Sequence, residues 1–210
     1  MLRELFSKMV EDLHCVARND PAAHNVIETL LCHTALHAIF IYRIAHLLHT
    51  RLRVPLLPRM LSTFARLMTG VEIHPGATIG RRFFIDHGTG VVIGETSSIG
   101  DDCVMFHTVT LGGTGKHSGK RHPTVGNGVL LGTGATLLGP ITIGDGARVG
   151  AGSFVRMHDV PPRCTAAGTP ARIVKRAGQR VDEDLPRTQL SEASIPVPPE
   201  ADAAEGGAET

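Results

Sequence analysis

The sequence predicts a mixed fold, an N-terminal α-helical domain followed by a parallel β-helix of hexapeptide repeats. Three observations carry that prediction. Between Val71 and Val155 apolar residues recur every six positions: Ile73, Ile79 and Ile85, then Ile93, Ile99, Met105 and Leu111, then Val125, Leu131, Leu137, Ile143, Val149 and Val155. The next position is often glycine (Gly80, Gly94, Gly100, Gly112, Gly126, Gly132, Gly144, Gly150), and the position two before is small or β-branched (Ala77, Val91, Cys103, Val129, Ala135, Ala147, Ser153). Ahead of the repeats, apolar residues fall at three-and-four spacing, as in Leu2, Leu5, Phe6, Met9, Val10 and Leu13. A period of six fits neither a 3.6-residue helix nor an indefinitely extended alternating strand. It fits short strands joined by regular corners, with glycine where a corner needs unusual backbone angles.

Residues 1–69 read as the helical domain. Asn19-Asp20-Pro21 resembles a helix start, with Asp20 as cap and Pro21 at the first helical position, opening a helix to about Thr34. A second apolar stretch covers His37 to Leu48. Pro55 and Pro58 break the pattern before a helix over Arg59–Met68, ended by Thr69-Gly70. The β-helix occupies residues 70–160, with a two-residue slip after Ile85. Residues 112–123 are too polar and glycine-rich to continue the wall and read as a protruding loop, a common seat of function. Pro161-Pro162 stops the ladder. Residues 161–176 form a closing segment that folds back over the last coil or makes a short helix. Residues 177–210 have no periodic apolar face and read as a disordered acidic tail.

Composition narrows the function. The net charge of +1 predicts no general affinity for nucleic acid or membrane. From Ala177 onward eight acidic residues face two arginines, so the folded body is basic, which suits an anionic ligand such as a nucleotide-bearing cofactor as well as a plain solvated surface. The four cysteines are far apart with no CxxC pair, and no leader or membrane-spanning run is expected; a cytoplasmic protein with reduced thiols is the reading. Cys103 falls at a small wall position and reads as core.

Chemistry-bearing residues concentrate in the repeats. The pairs His33/His37 and His46/His49 have helical spacing that fits a metal, but without a matching carboxylate they read as helix-face or core residues. His74, His87, His107 and His122 interrupt a wall of small and apolar groups. Glu72-Ile73-His74 and Asp86-His87 set carboxylates beside imidazoles, as a proton-abstracting dyad requires, although solvated surface residues would look the same. Arg121-His122, at the root of the glycine-rich loop, offers a fork for a carboxylate.

The segments Val71-Glu72-Ile73-His74-Pro75-Gly76-Ala77, Ile85-Asp86-His87-Gly88-Thr89-Gly90, Gly112-Gly113-Thr114-Gly115-Lys116, Arg121-His122-Pro123 and Ala166-Ala167-Gly168-Thr169-Pro170-Ala171 closely resemble bacterial serine O-acetyltransferases, as do Arg18-Asn19-Asp20-Pro21 and Tyr42-Arg43-Ile44-Ala45-His46. The resemblance runs from about residue 10 to residue 176. It implies that the helix is left-handed, and that acetyl passes from acetyl-CoA to the L-serine hydroxyl, giving O-acetyl-L-serine for cysteine synthesis. By the same resemblance His87 is the catalytic base and Glu72 the carboxylate that orients it. Asp20 and Asp86 contact the substrate's amino end, while Arg121 and His122 bind its carboxylate. Gly112, Gly113 and Thr114, with Thr133, Arg148 and Ala151, line the acetyl-CoA site; no metal is expected. A homotrimer is implied, with the dimer of trimers left open by a short helical region. Docking to O-acetylserine sulfhydrylase uses a C-terminal aliphatic residue in that family; this sequence ends Gly206-Gly207-Ala208-Glu209-Thr210, so that complex stays open, as does feedback by L-cysteine. The rivals are another acceptor (homoserine or an amino sugar), a metal hydratase resembling the γ-class carbonic anhydrases through His117 and His122, and a non-catalytic scaffold.

Overall fold

The computed structural model describes residues 2–21, 24–115 and 118–188. Helix α1 (Leu2–Asn19) runs without a break through the predicted periodic stretch. The next helix, α2 (Val26–Cys32), starts later than Pro21: Asn25 is its cap, its side chain accepting from the Glu28 N–H at 2.9 Å. Asp20 is therefore not the cap of α2 and stands in the link after α1. Helix α3 (Thr34–Thr50) begins earlier than His37, and His33 is its cap, Nδ1 accepting from the Leu36 N–H at 3.2 Å. Helix α4 (Leu57–Thr69) ends at Gly70 in the left-handed conformation (φ 72°), as Thr69-Gly70 predicts.

The repeats form β1 (Glu72–Ile73), β2 (Thr78–Ile79), β3 (Phe84–Ile85), β4 (Val92–Ile93), β5 (Ser98–Ile99), β6 (Val104–Met105), β7 (Thr110–Gly112), β8 (Thr124–Val125), β9 (Leu130–Leu131), β10 (Thr136–Leu138), β11 (Thr142–Ile143), β12 (Arg148–Val149) and β13 (Phe154–Arg156). Every third strand pairs in parallel, giving the walls of a three-sided left-handed β-helix: β1-β4-β7-β10-β13, β2-β5-β8-β11 and β3-β6-β9-β12. Partners lie 18 residues apart in regular coils (Val92 with Thr110, Thr136 with Phe154), 20 across the slip (Glu72 with Val92) and 26 across the loop (Thr110 with Thr136). Each apolar residue of the six-residue series is buried, Ile73 and Ile99 being the most accessible at 3%. The narrow interior leaves no room for a long wall residue two positions earlier, hence Ala77, Ala135, Ala147 and Ser153, all fully buried.

Glycine at the corners has a steric cause. A Cβ on Gly80 would lie 2.3 Å from the Asp101 carboxylate, and one on Gly126 would lie 2.3 Å from that of Asp145. Those carboxylates, with the Asn127 amide, accept backbone N–H groups from the preceding coil and pin one corner: Arg81 N–H to Asp101, Asp101 N–H to Asn127, Asn127 N–H to Asp145, each at 2.7–2.8 Å.

The closing segment departs from expectation. Residues 161–176 hold strands, not a helix: β14 (Cys164–Gly168) joins β12 in parallel, and β15 (Ala171–Arg176) returns antiparallel. The stretch read as disordered from residue 177 carries β16 (Gln179–Glu183), paired with β15. Ion pairs hold it there: Arg172 to Asp182 (2.7 Å) and Asp184 (2.5 Å), and Arg176 to Glu183. Leu185 then packs into the main core. The rest of the expected tail, 189–210, lies outside the described residues.

Candidate active site

The residues expected at the site fall on two edges of the prism. The first edge joins the β3 wall to the β1 wall and stacks one corner per coil: Asp86–Gly90, His107–Thr108, Thr133–Gly134 and Ala151–Gly152. Backbone bonds tie the stack, Thr108 N–H to Thr89, Gly134 N–H to His107 and Gly152 N–H to Thr133, at 2.8–3.1 Å. His87 stands on this edge with φ 60°, a left-handed backbone that turns its ring out to solvent; the side chain is 78% exposed. Asp86 Oδ1 lies 3.8 Å from its Nε2, too long for a hydrogen bond. The His107 ring stands edge-on at 6.1 Å. Thr133 and Ala151 sit two and three coils along the same edge, and Arg148 points outward from β12.

The helices bring Asp20 to this edge. His33, between α2 and α3, places Nε2 3.9 Å from Asp20 Oδ2 and its ring 6.0 Å from Phe84 of β3. Its surroundings include the Asp86 charge as well. Asp20, His33, Asp86 and His87 are thus neighbours around one corner, although 66 residues separate the two aspartates.

The second edge joins the β1 wall to the β2 wall. Arg121 pairs with Glu95, and His122 is 9% exposed, its Nδ1 2.9 Å from Thr96 Oγ1 and 3.2 Å from the Thr96 nitrogen. Thr96 Oγ1 also accepts the N–H groups of Arg121 (3.0 Å) and His122 (3.1 Å), fixing the root of the loop. Gly112, Gly113 and Thr114 leave the wall beside it: a Cβ on Gly113 would lie 3.6 Å from His122 Nε2. Lys116 and His117 lie outside the described residues.

Residues 122–156 match the family model for the bacterial transferase hexapeptide (six repeats). The serine acetyltransferase of Synechococcus elongatus is 50% identical over 193 residues, 92% of this chain and 78% of that protein. A soybean serine acetyltransferase solved in complex with serine superimposes with a TM-score of 0.76 at 47% identity, over 82% of this chain and 70% of that one. A serine acetyltransferase in complex with cysteine gives 0.79 at 42% identity, over 83% and 67%. The chain belongs to the serine acetyltransferase family.

Against that background, three placements stand out. Glu72, expected to orient His87, pairs with the Arg66 guanidinium at 2.8 Å; the carboxylate facing the His87 ring is Asp86. His74 does not share the His87 corner. It belongs to the second edge, beside Glu95, Arg121 and His49, and burial pushes it down to about 4. Asp20 and Asp86 are separated from Arg121 and His122, which occupy a different edge of the same chain.

The electrostatics of the second edge suit an anion. Arg121 holds the Glu95 carboxyl below its usual range. Neutral His74 adds no competing charge, and Lys120 bonds the Thr96 and Pro123 carbonyls at 2.7 and 3.3 Å. Cys103 is buried and its thiol is pushed up by burial, which makes it a poor nucleophile, as its wall position predicts. Among the described residues no three metal-ligating side chains converge. Sequence reasoning missed Glu95, Thr96 and His33. The first two carry a readable signal, since they are polar residues one coil before Arg121-His122 on the same edge; His33 carries none, because its neighbour Asp20 is brought by the turn between α1 and α2.

Proposed function

We propose that this chain transfers acetyl from acetyl-CoA to the hydroxyl of L-serine, giving O-acetyl-L-serine and CoA, with His87 as the base. The observation that carries this reading is the corner where an outward imidazole stands among Asp20 and Asp86. A serine zwitterion brings an ammonium that two carboxylates attract and a hydroxyl that an imidazole deprotonates. His87 takes the hydroxyl proton as the oxygen attacks the thioester carbonyl, and returns it to the CoA sulfur as the tetrahedral intermediate collapses. Asp86 favours the imidazolium formed between these steps. Glu72, on the adjoining strand, has a largely exposed partner in Arg66 (64%), a weak pair that leaves its carboxylate able to support His87. Arg121 and His122 take the substrate carboxylate, and N–H groups of Gly112, Gly113 and Thr114 face the thioester oxygen. Acetyl-CoA extends along the outer surface past Thr133, Arg148 and Ala151.

The two-edge arrangement supports a homotrimer. Packing three prisms side by side brings the first edge of one copy against the second edge of the next, uniting the ammonium and carboxylate halves of the site. A dimer of trimers would rest on the helical region, which is short, and the C-terminal residues that bear on binding to O-acetylserine sulfhydrylase lie outside the described ones. A cytoplasmic location accords with four unpaired cysteines and with the lack of any single described helix long and apolar enough to cross a membrane.

The test follows CoA thiol release from acetyl-CoA with L-serine, L-homoserine or water. Serine-dependent release should fall about 10²–10⁴-fold in His87→Ala. Release that is indifferent to His87 rejects the mechanism; release with homoserine alone keeps the base and replaces the acceptor.

A further inference from the structure

His33 does two things with its two ring nitrogens. Nδ1 accepts the Leu36 N–H at 3.2 Å, so in the neutral ring that nitrogen bears a lone pair and the proton sits on Nε2. Nε2 points to Asp20, 3.9 Å from Oδ2. Helix capping therefore fixes the tautomer, and the tautomer presents an N–H to a carboxylate. The ring is held from the other side by Phe84, on the strand that ends at Asp86. It is 12% exposed and Asp20 21%, so neither is freely rotating surface.

We propose that His33 is a positioning residue for substrate binding, the dipole of its Nε2–H, 3.9 Å from the Asp20 carboxylate, orienting that group towards the corner where the substrate ammonium is received. This rests on the assignment of Asp20 and Asp86 to that ammonium. The groups facing His33 are Asp20 from the link after α1, Asp86 and the Phe84 ring from the β3 side, and His37 on its own helix, whose Nε2 is taken by the Leu30 carbonyl at 2.6 Å. Burial holds His33 below its ordinary 6.5, against the pull of both aspartates. At neutral pH it is an uncharged donor and leaves the negative charge intact for substrate. Once protonated, it becomes a cation competing for the same carboxylates, so serine binding weakens as pH falls below 6.5.

His33→Asn separates capping from positioning. Asparagine is a good helix cap and keeps an acceptor for Leu36 N–H, but is too short to reach Asp20. The variant should melt within a degree or two of the wild type, with KM for L-serine raised roughly three- to tenfold and both kcat and KM for acetyl-CoA unchanged. Calorimetric titration of L-serine without acetyl-CoA supplies the second readout. The extra loss of affinity at acid pH should be present in the wild type and absent in His33→Asn; every other residue is common to both proteins, so their difference isolates His33. Identical serine affinity and identical pH profiles in the two proteins overturn the proposal. Asp20→Asn distinguishes the levels: if it too leaves serine binding unchanged, the ammonium-site assignment has failed, whereas an effect at Asp20 alone rejects only the role of His33.

Discussion

Gly94 offers a way to move His122 without deleting it. The backbone at Gly94 is not in the left-handed region, so alanine is conformationally acceptable there. A Cβ would, however, lie 2.1 Å from His122 Cδ2 and 2.2 Å from Nε2. Carbon atoms at rest sit about 3.5 Å apart, so the ring must retreat by roughly 1.3 Å. It cannot do so cheaply, being buried and held by Thr96 Oγ1 at 2.9 Å. Overpacking of this kind costs about 1–3 kcal/mol of stability, while a displacement near 1 Å at a binding group costs on the order of 10²-fold in turnover. Gly94→Ala should therefore remain folded at 25 °C and lose about 30- to 100-fold in kcat/KM for serine, read by CoA release. The same substitution in a His122→Ala background should cost little, because the clashing ring is gone. Wild-type kinetics in Gly94→Ala, or an equal loss in both backgrounds, would refute the claim that the position of His122 matters.

Other outcomes follow from the same structure. Mixing His87→Ala with Arg121→Ala protein, each inactive alone, should restore part of the CoA release after subunit exchange, since mixed oligomers contain junctions with two intact edges; no recovery rejects the shared site. Arg43→Met strands the fully buried Asp12, whose carboxylate depends on Arg43 at 3.0–3.3 Å, and should cost about 3–5 kcal/mol in urea unfolding. Acid should destabilise the fold through histidines held neutral. His74 is lowered to about 4 and His33 and His46 are lowered too, each chiefly by burial, so below 6.5 the unfolded chain takes up protons first. Their contribution is complete above 6.5 and fades toward pH 4. For His74 alone linkage gives about 2 kcal/mol at pH 5, reduced to about 1 by solvent screening, visible as a lower urea midpoint at pH 5 than at pH 8.

The repeat region was legible because one physical constraint, a narrow triangular interior, acts at every sixth residue from Ile73 to Val155. The remainder was governed by choices between near-equals. Asp20 and Asn25 are both competent caps, and the chain caps with Asn25, while Asp20 stands in the link after α1 beside His33. Strand β16 sets only Val181 against the core, too little to reveal it; it adds to the sheet by backbone bonds and by pairing Asp182 and Glu183 with arginines of β15. The candidate residues were named from motif and resemblance, but their distribution over two edges was not. Hexad counting contains that information: Asp86-His87 follows a β3-type strand, whereas Glu95-Thr96, one coil step before Arg121-His122, follows a β4-type strand. Helical contacts such as His33 with Asp20 have no periodic signal.

The open ends of the ladder need hydrogen-bond partners, which the helices supply at one end and the closing strands at the other. In the walls alternate N–H groups point to the following coil, as in Glu72 to Val91, Thr78 to Ser97 and Val92 to Val109, and those between them point back, as in Gly139 to Gly112 and Met157 to Leu138. The first coil therefore presents, among others, carbonyls with no coil before them to donate, and the last presents N–H groups with no coil after them to accept. The helices supply the donors: Ser62 to the Ile73 carbonyl and Tyr42 to that of Ala77, both at 2.6 Å, His46 Nδ1 to Pro75 at 2.9 Å, and Arg43 to Ile79 at 2.6 Å and also to Gly80. Cys15 covers the Arg82 carbonyl at 3.3 Å. At the far end the Asp159 carboxylate receives the Thr142 N–H at 2.7 Å, and the Val160 and Ala166 carbonyls receive those of Gly144 and Gly150. Tyr42→Phe leaves the buried Ala77 carbonyl unpaired and should cost about 1–3 kcal/mol. A variant as stable as the wild type in urea would show that the carbonyl row needs no donor from α3. The same capping contacts seat α3 on the first coil, and with it His33 beside Asp20, so the device that closes the prism also builds one wall of the site.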